Sequence, residues 1–300
     1  MPPIRLGTRG SPLALVQANF VKDLLFAAHG VTSEIVVIRT TGDRVQDRAL
    51  AEIGGKALWT KELDRALLGG EIDIAVHSMK DVETIRPAAI AIAAMLTRAD
   101  VRDRLVGADS LAAIRANGVV GTSSPRRRAQ VLRARPDVSV VLFRGNVDTR
   151  LAKLAAGEAD ATLLAAAGLD RLGRSDIGVA VALSEMLPAP AQGAVGIECR
   201  ADDAKTLDLL AAIDHAATSR AVRCERALLA ALDATCHSPV AALATIAGKS
   251  ITLRAELFSE DGAEHVAGDV SGTDGAALAR DLASALLERA PAAVRSGFGG

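Results

Sequence analysis

The sequence predicts an α/β fold of two similar lobes followed by a small α+β domain, and three observations predict it. Over the first hundred residues, short β-branched runs alternate with helical periodicity. The same alternation starts again near residue 100. From about residue 216 the order changes to a helix, a set of alternating strands and a closing helix. Strand and helix in alternation build a sheet covered by helices, whereas consecutive strands build an antiparallel sheet with helices to one side.

The elements follow in chain order. "IRLGTR" reads as a short strand. Ser11 can cap the next helix, which has Pro12 in its first turn and Leu13, Val16, Phe20 and Leu24 on one face, and Gly30 closes it. "EIVVIRT" at 34–40 has the β-branched density of a buried strand, "WTKELDRALLGG" at 59–70 is a helix, and "IDIAVHS" at 72–78 returns to strand. In the second series, a strand ending at Val120 runs into the turn and helix start of "GTSSPRRRAQVL". "VSVVLF" at 138–143 precedes the loop and helix of "RGNVDTRLAKLAAG", and "ADATLLAAAGL" passes from strand to helix. "LPAPAQGAVGIE" at 187–198, rich in proline and small residues, reads as a crossing or hinge. In the last third, a helix over about 219–233 leads through "ATCHSPV" to three antiparallel strands, "AALATIAG", "SITLRAELF" and "AEHVAGDV", and a helix over about 274–290.

Composition narrows the function. Three hundred residues can bury two or three cores. Thirty-five basic residues against thirty-six acidic ones leave a net charge of -1, so no whole-protein field draws the chain to nucleic acid or an anionic membrane, and any anion site must be local. Aromatic residues are 2%, too few for a stacking surface, and no broad basic stripe occurs. Cys199, Cys224 and Cys236 lack the close pairing of a zinc site and are odd in number, which argues against structural metal and a disulfide framework. The beginning "MPPIRLGTRG" lacks a basic segment followed by an apolar one, and no apolar run approaches the roughly 20 residues that span a bilayer. A cytoplasmic location is the expectation.

Chemistry-bearing residues gather where α/β proteins bind ligands, beyond the carboxyl ends of strands. In "GTSSPRRR", Ser124 can cap a helix with Pro125 at its first position, leaving hydroxyls and free N–H groups beside Arg126, Arg127 and Arg128; this is either a carboxylate or phosphate cradle or a solvated basic helix face. In "FRGNVDTR", Arg144 and Arg150 converge only if the loop between them folds back. Arg9 and Ser11 form a third candidate, although a simple cap also accounts for Ser11. "GGKALW" offers Lys56 and an aromatic cover in Trp59, or else a loop and a core tryptophan. "IDIAVHSMKD" delivers His77, Ser78, Lys80 and Asp81 from an apolar strand; a carboxylate there can stabilise a cation or exchange a proton, while His77 reads as a hydrogen-bonded supporting residue. Cys199 and Cys224 lie in packing contexts, whereas Cys236 sits between helix and strand with Pro239 and His237 nearby, where a thiol can be used covalently.

Taken together in order, "TRGSPLAL", "GGKALW", "DIAVHSMKD", "GTSSPRR", "FRGNVDTRL", "AAGLDRLG", "AQGAVGIECR" and "TCHSPV" resemble the hydroxymethylbilane synthase, or porphobilinogen deaminase, family over nearly the whole chain. The resemblance implies three domains: residues 1–97 with a returning segment 195–214, residues 98–194, and residues 215–300. The first two would be similar to the paired lobes of periplasmic binding proteins, and the third would carry Cys236. It also implies a dipyrromethane cofactor joined to Cys236 by a thioether, on which four porphobilinogen molecules condense with loss of ammonia before water releases linear hydroxymethylbilane. Asp81 would be the catalytic carboxylate. Arg9, Arg126, Arg127, Arg144, Arg150 and Arg171 would bind acetate and propionate groups, with Lys56, Lys80, Ser11, Thr122, Ser123 and Ser124 completing the polar set and Trp59 covering it. A monomer that binds no metal and hands its product to uroporphyrinogen-III synthase is implied as well. The chain departs from the family pattern at Trp59, Pro125, Ala191 and Thr235, the last two standing where glycine is common. Two other readings stay open at this point: a noncovalent carboxylate-binding protein and an inactive descendant.

Overall fold

A computed structural model describes residues 2–40, 60–235 and 237–298. They form two compact units, one of residues 2–40, 60–99 and 193–219, the other of residues 100–192 and 220–298.

The first unit is built on β1 (Ile4–Arg9), β2 (Ser33–Ile38), β3 (Ile74–Ser78), β4 (Ile90–Met95) and β10 (Val195–Arg200), in the sheet order β2, β1, β3, β10, β4. β1 pairs parallel with β2 and β3, and β10 runs antiparallel between β3 and β4. Helices α1 (Pro12–His29) and α6 (Ala204–Ala211) bury Val21, Leu25 and Leu210 with Leu6, Ile74, Val76 and Ile197. On the opposite face, α2 (Lys61–Leu68) buries Leu63 and Leu67 with Ile72, Ala75 and Ile90. A strand covered on both faces needs apolar side chains in both directions, which explains the unbroken run before His77.

Three sequence expectations change here. The stretch "EIVVIRT" is not a buried strand: β2 is the edge of the sheet, and Val37 is 50% exposed. The buried face of α1 is Gln17, Ala18, Val21 and Leu25, while Phe20 is 51% and Leu24 40% exposed. The stripe that packs is Ala18, Val21 and Leu25, one position round the helix from Phe20 and Leu24, with the Gln17 amide bonded to Ser78. The stretch 187–198 is not all crossing: from Val195 it is β10, fully paired on both sides.

The second unit repeats the sheet plan. Its strands β5 (Asp103–Val106), β6 (Val119–Gly121), β7 (Ser139–Val141), β8 (Ala161–Ala165) and β9 (Val179–Ala180) lie in the order β7, β6, β8, β5, β9. β6 pairs parallel with β7 and β8, and β5 runs antiparallel to β8 and β9. In each sheet, the first parallel strand is flanked by the second and third, and an antiparallel strand follows. Helices α3 (Pro125–Ala134), α4 (Val147–Ala155) and α5 (Ala166–Arg171) connect the strands.

The same unit contains an antiparallel meander of β11 (Val240–Ala247), β12 (Ser250–Phe258) and β13 (His265–Gly272). Helices α7 (Ala216–Ala231), α8 (Gly275–Arg289) and the short α9 (Ala292–Arg295) accompany it, with Leu228, Leu253, Leu257, Leu282 and Leu286 in one core. A second cluster of Ala129, Leu187, Leu243 and Phe258 joins the meander to α3. Glu225, fully buried, accepts the N–H of Ala244 at 2.8 Å and that of Ala191 at 2.6 Å. Ala191 has φ +62°, a left-handed conformation that costs a residue with a Cβ.

Candidate active site

In the first unit, the candidate residues lie beyond the carboxyl ends of parallel strands. Arg9 ends β1, and Ser11 caps α1, its Oγ accepting the N–H of Ala14 at 3.3 Å. β3 ends at Ser78 and passes into a 3₁₀ turn, Met79–Asp81. Met79 fixes that turn: it is 1% exposed, its N–H donates to the Ala194 carbonyl, and its side chain lies against Gly196, where a Cβ would come within 2.1 Å of the sulfur. The turn leaves Lys80 and Asp81 exposed, and Asp81 has no hydrogen-bond partner among the described residues. Arg9, Ser11, Gln17, His77, Ser78 and Asp81 line one pocket. Sequence reasoning missed Gln17, which exchanges two hydrogen bonds with Ser78 at 2.9 and 3.2 Å. The available signal was an amide between Val16 and Ala18 on an otherwise apolar stretch of α1.

Behind this turn lies a buried charge network. His77 Nε2 is 3.2 Å from Glu198 Oε2, and Arg86 grips Glu198 through Nε and Nη2, each at 2.8 Å. Burial alone would raise the Glu198 carboxyl, but His77 and Arg86 outweigh it and hold the group down at about 2. Arg86 also pairs with Asp64 and Glu83. His77 therefore lies beside a buried carboxylate, 6% exposed, with no hydrogen-bond partner for its Nε2 among the described residues. Lys56 and Trp59 lie outside the described residues.

In the second unit, β6 ends at Gly121 and delivers "TSS" into α3. Gly121 is obligatory for packing, because a Cβ would come within 2.4 Å of the Phe143 ring. Thr122 Oγ1 accepts the N–H of Ser124, and Ser124 Oγ accepts that of Arg127. The loop after β7 folds back towards α4: Gly145 takes φ +104°, Asn146 caps α4, and Arg150 donates from Nε to the Gly145 carbonyl and from Nη2 to Ser123 Oγ at 3.5 Å. Arg150 thereby meets the "TSS" turn. Arg144 is 7% exposed, and Arg171 ends α5, where burial lowers its pKa against the opposing pull of Asp170.

Arg126 and Arg127 are neither a solvated face nor a pair of free cations. They are 3% and 5% exposed and converge on Asp103, the first residue of β5. Arg126 Nη1 donates to Asp103 Oδ2 at 2.8 Å, to Gln130 and to the Leu187 carbonyl, while Arg127 donates to Asp103 Oδ1 from Nε and Nη2 and to the Leu163 carbonyl from Nη1. Burial would raise the Asp103 carboxyl, yet the two guanidinium groups keep it far below the ordinary range. Arg126 Nε is buried with no hydrogen-bond partner among the described residues. Two buried cations against one carboxylate, a spare buried donor and a capped helix N-terminus fit a group rich in carboxylates.

Cys199 and Cys224 are buried, and burial pushes both thiols up to about 11, so each stays protonated and inert near neutral pH. Cys236 lies outside the described residues. No group of three or more His, Cys, Asp or Glu side chains suited to a metal occurs among the described residues. Nor is any described helix long and apolar enough to cross a membrane.

Two α/β lobes of matching topology, with polar and cationic groups at their strand ends, and a smaller α+β domain define a two-lobed α/β protein. Residues 4–208 match the family model "Porphobilinogen deaminase, dipyromethane cofactor binding domain", and residues 219–290 match "Porphobilinogen deaminase, C-terminal domain". The chain is 60% identical to porphobilinogen deaminase of Sphingopyxis alaskensis, covering 99% of this chain and 96% of the relative, and 53% identical to that of Paracoccus denitrificans, covering 97% and 95%. Among solved structures, the methionine-binding protein MetQ aligns with a TM-score of 0.45 at 12% identity over 69% of this chain and 88% of its own. The chain belongs to the porphobilinogen deaminase family. It is a transferase that condenses porphobilinogen on a dipyrromethane cofactor to give hydroxymethylbilane.

Proposed function

We propose that Asp81 is the catalytic carboxylate of this reaction and that Cys236 carries the cofactor through a thioether. The observation that carries the reading is the pocket of the first unit, in which the ends of β1 and β3 bring the Asp81 carboxylate together with Arg9 and Ser11. When bound, dipyrromethane supplies a free pyrrole carbon as the nucleophile that each incoming unit joins. Asp81 orients pyrrole N–H groups and faces the positive charge that develops as ammonia leaves. Arg9 and Ser11 hold substrate carboxylates beside it, with Lys80 on the same turn. Thr122, Ser123, Ser124, Arg126, Arg127, Arg144, Arg150 and Arg171 hold acetate and propionate groups, and Lys56 and Trp59 complete the set. A chain that grows by two carboxylates per ring calls for many cationic groups rather than one bidentate site. The inertness of Cys199 and Cys224 supports Cys236 as the attachment point. We further infer a cytoplasmic monomer that passes its linear product to uroporphyrinogen-III synthase.

Intact-mass spectrometry of the purified chain, with peptide mapping, tests the reading. A two-pyrrole adduct on Cys236, absent from Cys236→Ser, is the expected result. An adduct on another residue, or turnover by an adduct-free chain, would overturn it.

A further inference from the structure

The buried carboxylate of Asp103 serves more groups than an ion pair needs. Besides Arg126 and Arg127, it accepts a hydrogen bond from Gln192 Nε2 at 2.9 Å, and the same Nε2 donates to the Val101 carbonyl at 2.7 Å. All the hydrogen bonds of Arg126 fall on one terminal nitrogen, Nη1, which leaves its Nε–Nη2 edge without a described partner. Arg127 has all three of its nitrogens engaged. Glu256 is the other acid whose charge acts on Arg126, and burial raises its carboxyl.

We propose that Asp103 is a positioning residue for the reaction: it fixes Arg127 as a strut and turns Arg126 so that its Nε–Nη2 edge receives a ligand carboxylate. The Nε–Nη2 edge is the side-on fork that matches a carboxylate with two parallel hydrogen bonds. One carboxylate, that of Asp103, bonds both guanidinium groups, and an incoming carboxylate adds a second anion on the open edge of Arg126. A guanidinium without such an anchor samples many rotamers, and a misplacement of about 1 Å at a binding group can slow chemistry on the order of 100-fold. Gln192, the last residue of its unit before the chain passes to Gly193 and β10, shares the carboxylate. This inference rests on the reading of Arg126 as a carboxylate-binding residue, and it narrows the part of Arg127 to a strut on the same Asp103 carboxylate.

The test compares how fast unprimed chains, expressed in cells that make no porphobilinogen, acquire the two-pyrrole adduct on addition of porphobilinogen, followed by intact mass. Asp103→Asn removes the charge at constant size. Asp103→Glu keeps the charge, and with it the fold, but displaces the carboxylate. In the folded fraction of either variant, the half-saturating porphobilinogen concentration for priming should rise about 10-fold or more. A purely structural Asp103 would lower the folded fraction and leave the half-saturating concentration unchanged, and that result in Asp103→Glu overturns the proposal. Arg126→Lys and Arg127→Lys separate the two failures. If they are impaired, Arg126 more than Arg127, while the Asp103 variants prime normally, only the role of Asp103 falls. If the arginine variants also prime normally, the carboxylate-binding reading falls with it.

Discussion

Glu198 ties the first unit to neutral pH, and the amount can be worked out. Its carboxylate is fully buried, gripped by two nitrogens of Arg86, with His77 Nε2 3.2 Å away. The folded carboxyl titrates at about 2 against 4.5 for the free group. Each pKa unit corresponds to about 1.4 kcal/mol, so the interaction contributes on the order of 3 kcal/mol. The sign follows from the depressed folded pKa. The unfolded chain takes up the proton first, so the stabilisation is complete above about pH 4.5 and is lost as pH falls toward 2, with roughly half gone near pH 3.2. Urea unfolding of wild type and Glu198→Gln, followed by circular dichroism from pH 7 to pH 3, isolates this group from the other carboxylates. At pH 7 the variant should be less stable by about 3 kcal/mol, because Arg86 keeps Asp64 and Glu83 and is not stranded. The gap should narrow steadily below about pH 4.5. A gap that stays constant down to pH 3 would refute the assignment of this stabilisation to an ionised Glu198.

Asp81 is exposed on its turn and makes no described hydrogen bond, so Asp81→Asn should leave the thermal midpoint unchanged while reducing turnover on the order of 100-fold or more; near-normal product formation by the folded variant would defeat its catalytic role. Ala191 combines 2% exposure with φ +62°, so Ala191→Val should destabilise by about 2–4 kcal/mol through a β-branched side chain in a left-handed, close-packed position, read as a lowered thermal midpoint. Ala191→Gly should be near neutral, since relief of about 1 kcal/mol of strain is offset by a lost methyl contact and a freer unfolded chain.

The local chemistry of the site was legible because the cues are local. Ser11, Ser124 and the glycine of "FRGN" each announce a cap or a tight turn at a strand end, and Asp81 stands out as a charged residue released by an apolar strand. The topology of α1 was harder. Its bulky residues suggested the wrong face because Val21 and Leu25 form a second apolar stripe one position on, and that stripe is the buried one. β10 was hidden behind proline and glycine, and its partners β3 and β4 are distant in sequence, so no nearby pattern marks "VGIECR" as a central strand. The burial of Arg126 and Arg127 was equally unreadable. Their partner, Asp103, lies more than twenty residues earlier in a strand that periodicity did not detect.

β10 has a consequence for how the chain is made. It fills the gap between β3 and β4, which are synthesised more than a hundred residues before it. Until Val195–Arg200 leaves the ribosome, β3 and β4 have no β10 to pair with, and each presents an open edge to other chains. The sheet of the second unit needs no such wait, because its strands all fall between Asp103 and Ala180. The later-encoded sheet can therefore close before the earlier one, and a nascent chain stalled short of residue 195 is the form most exposed to aggregation.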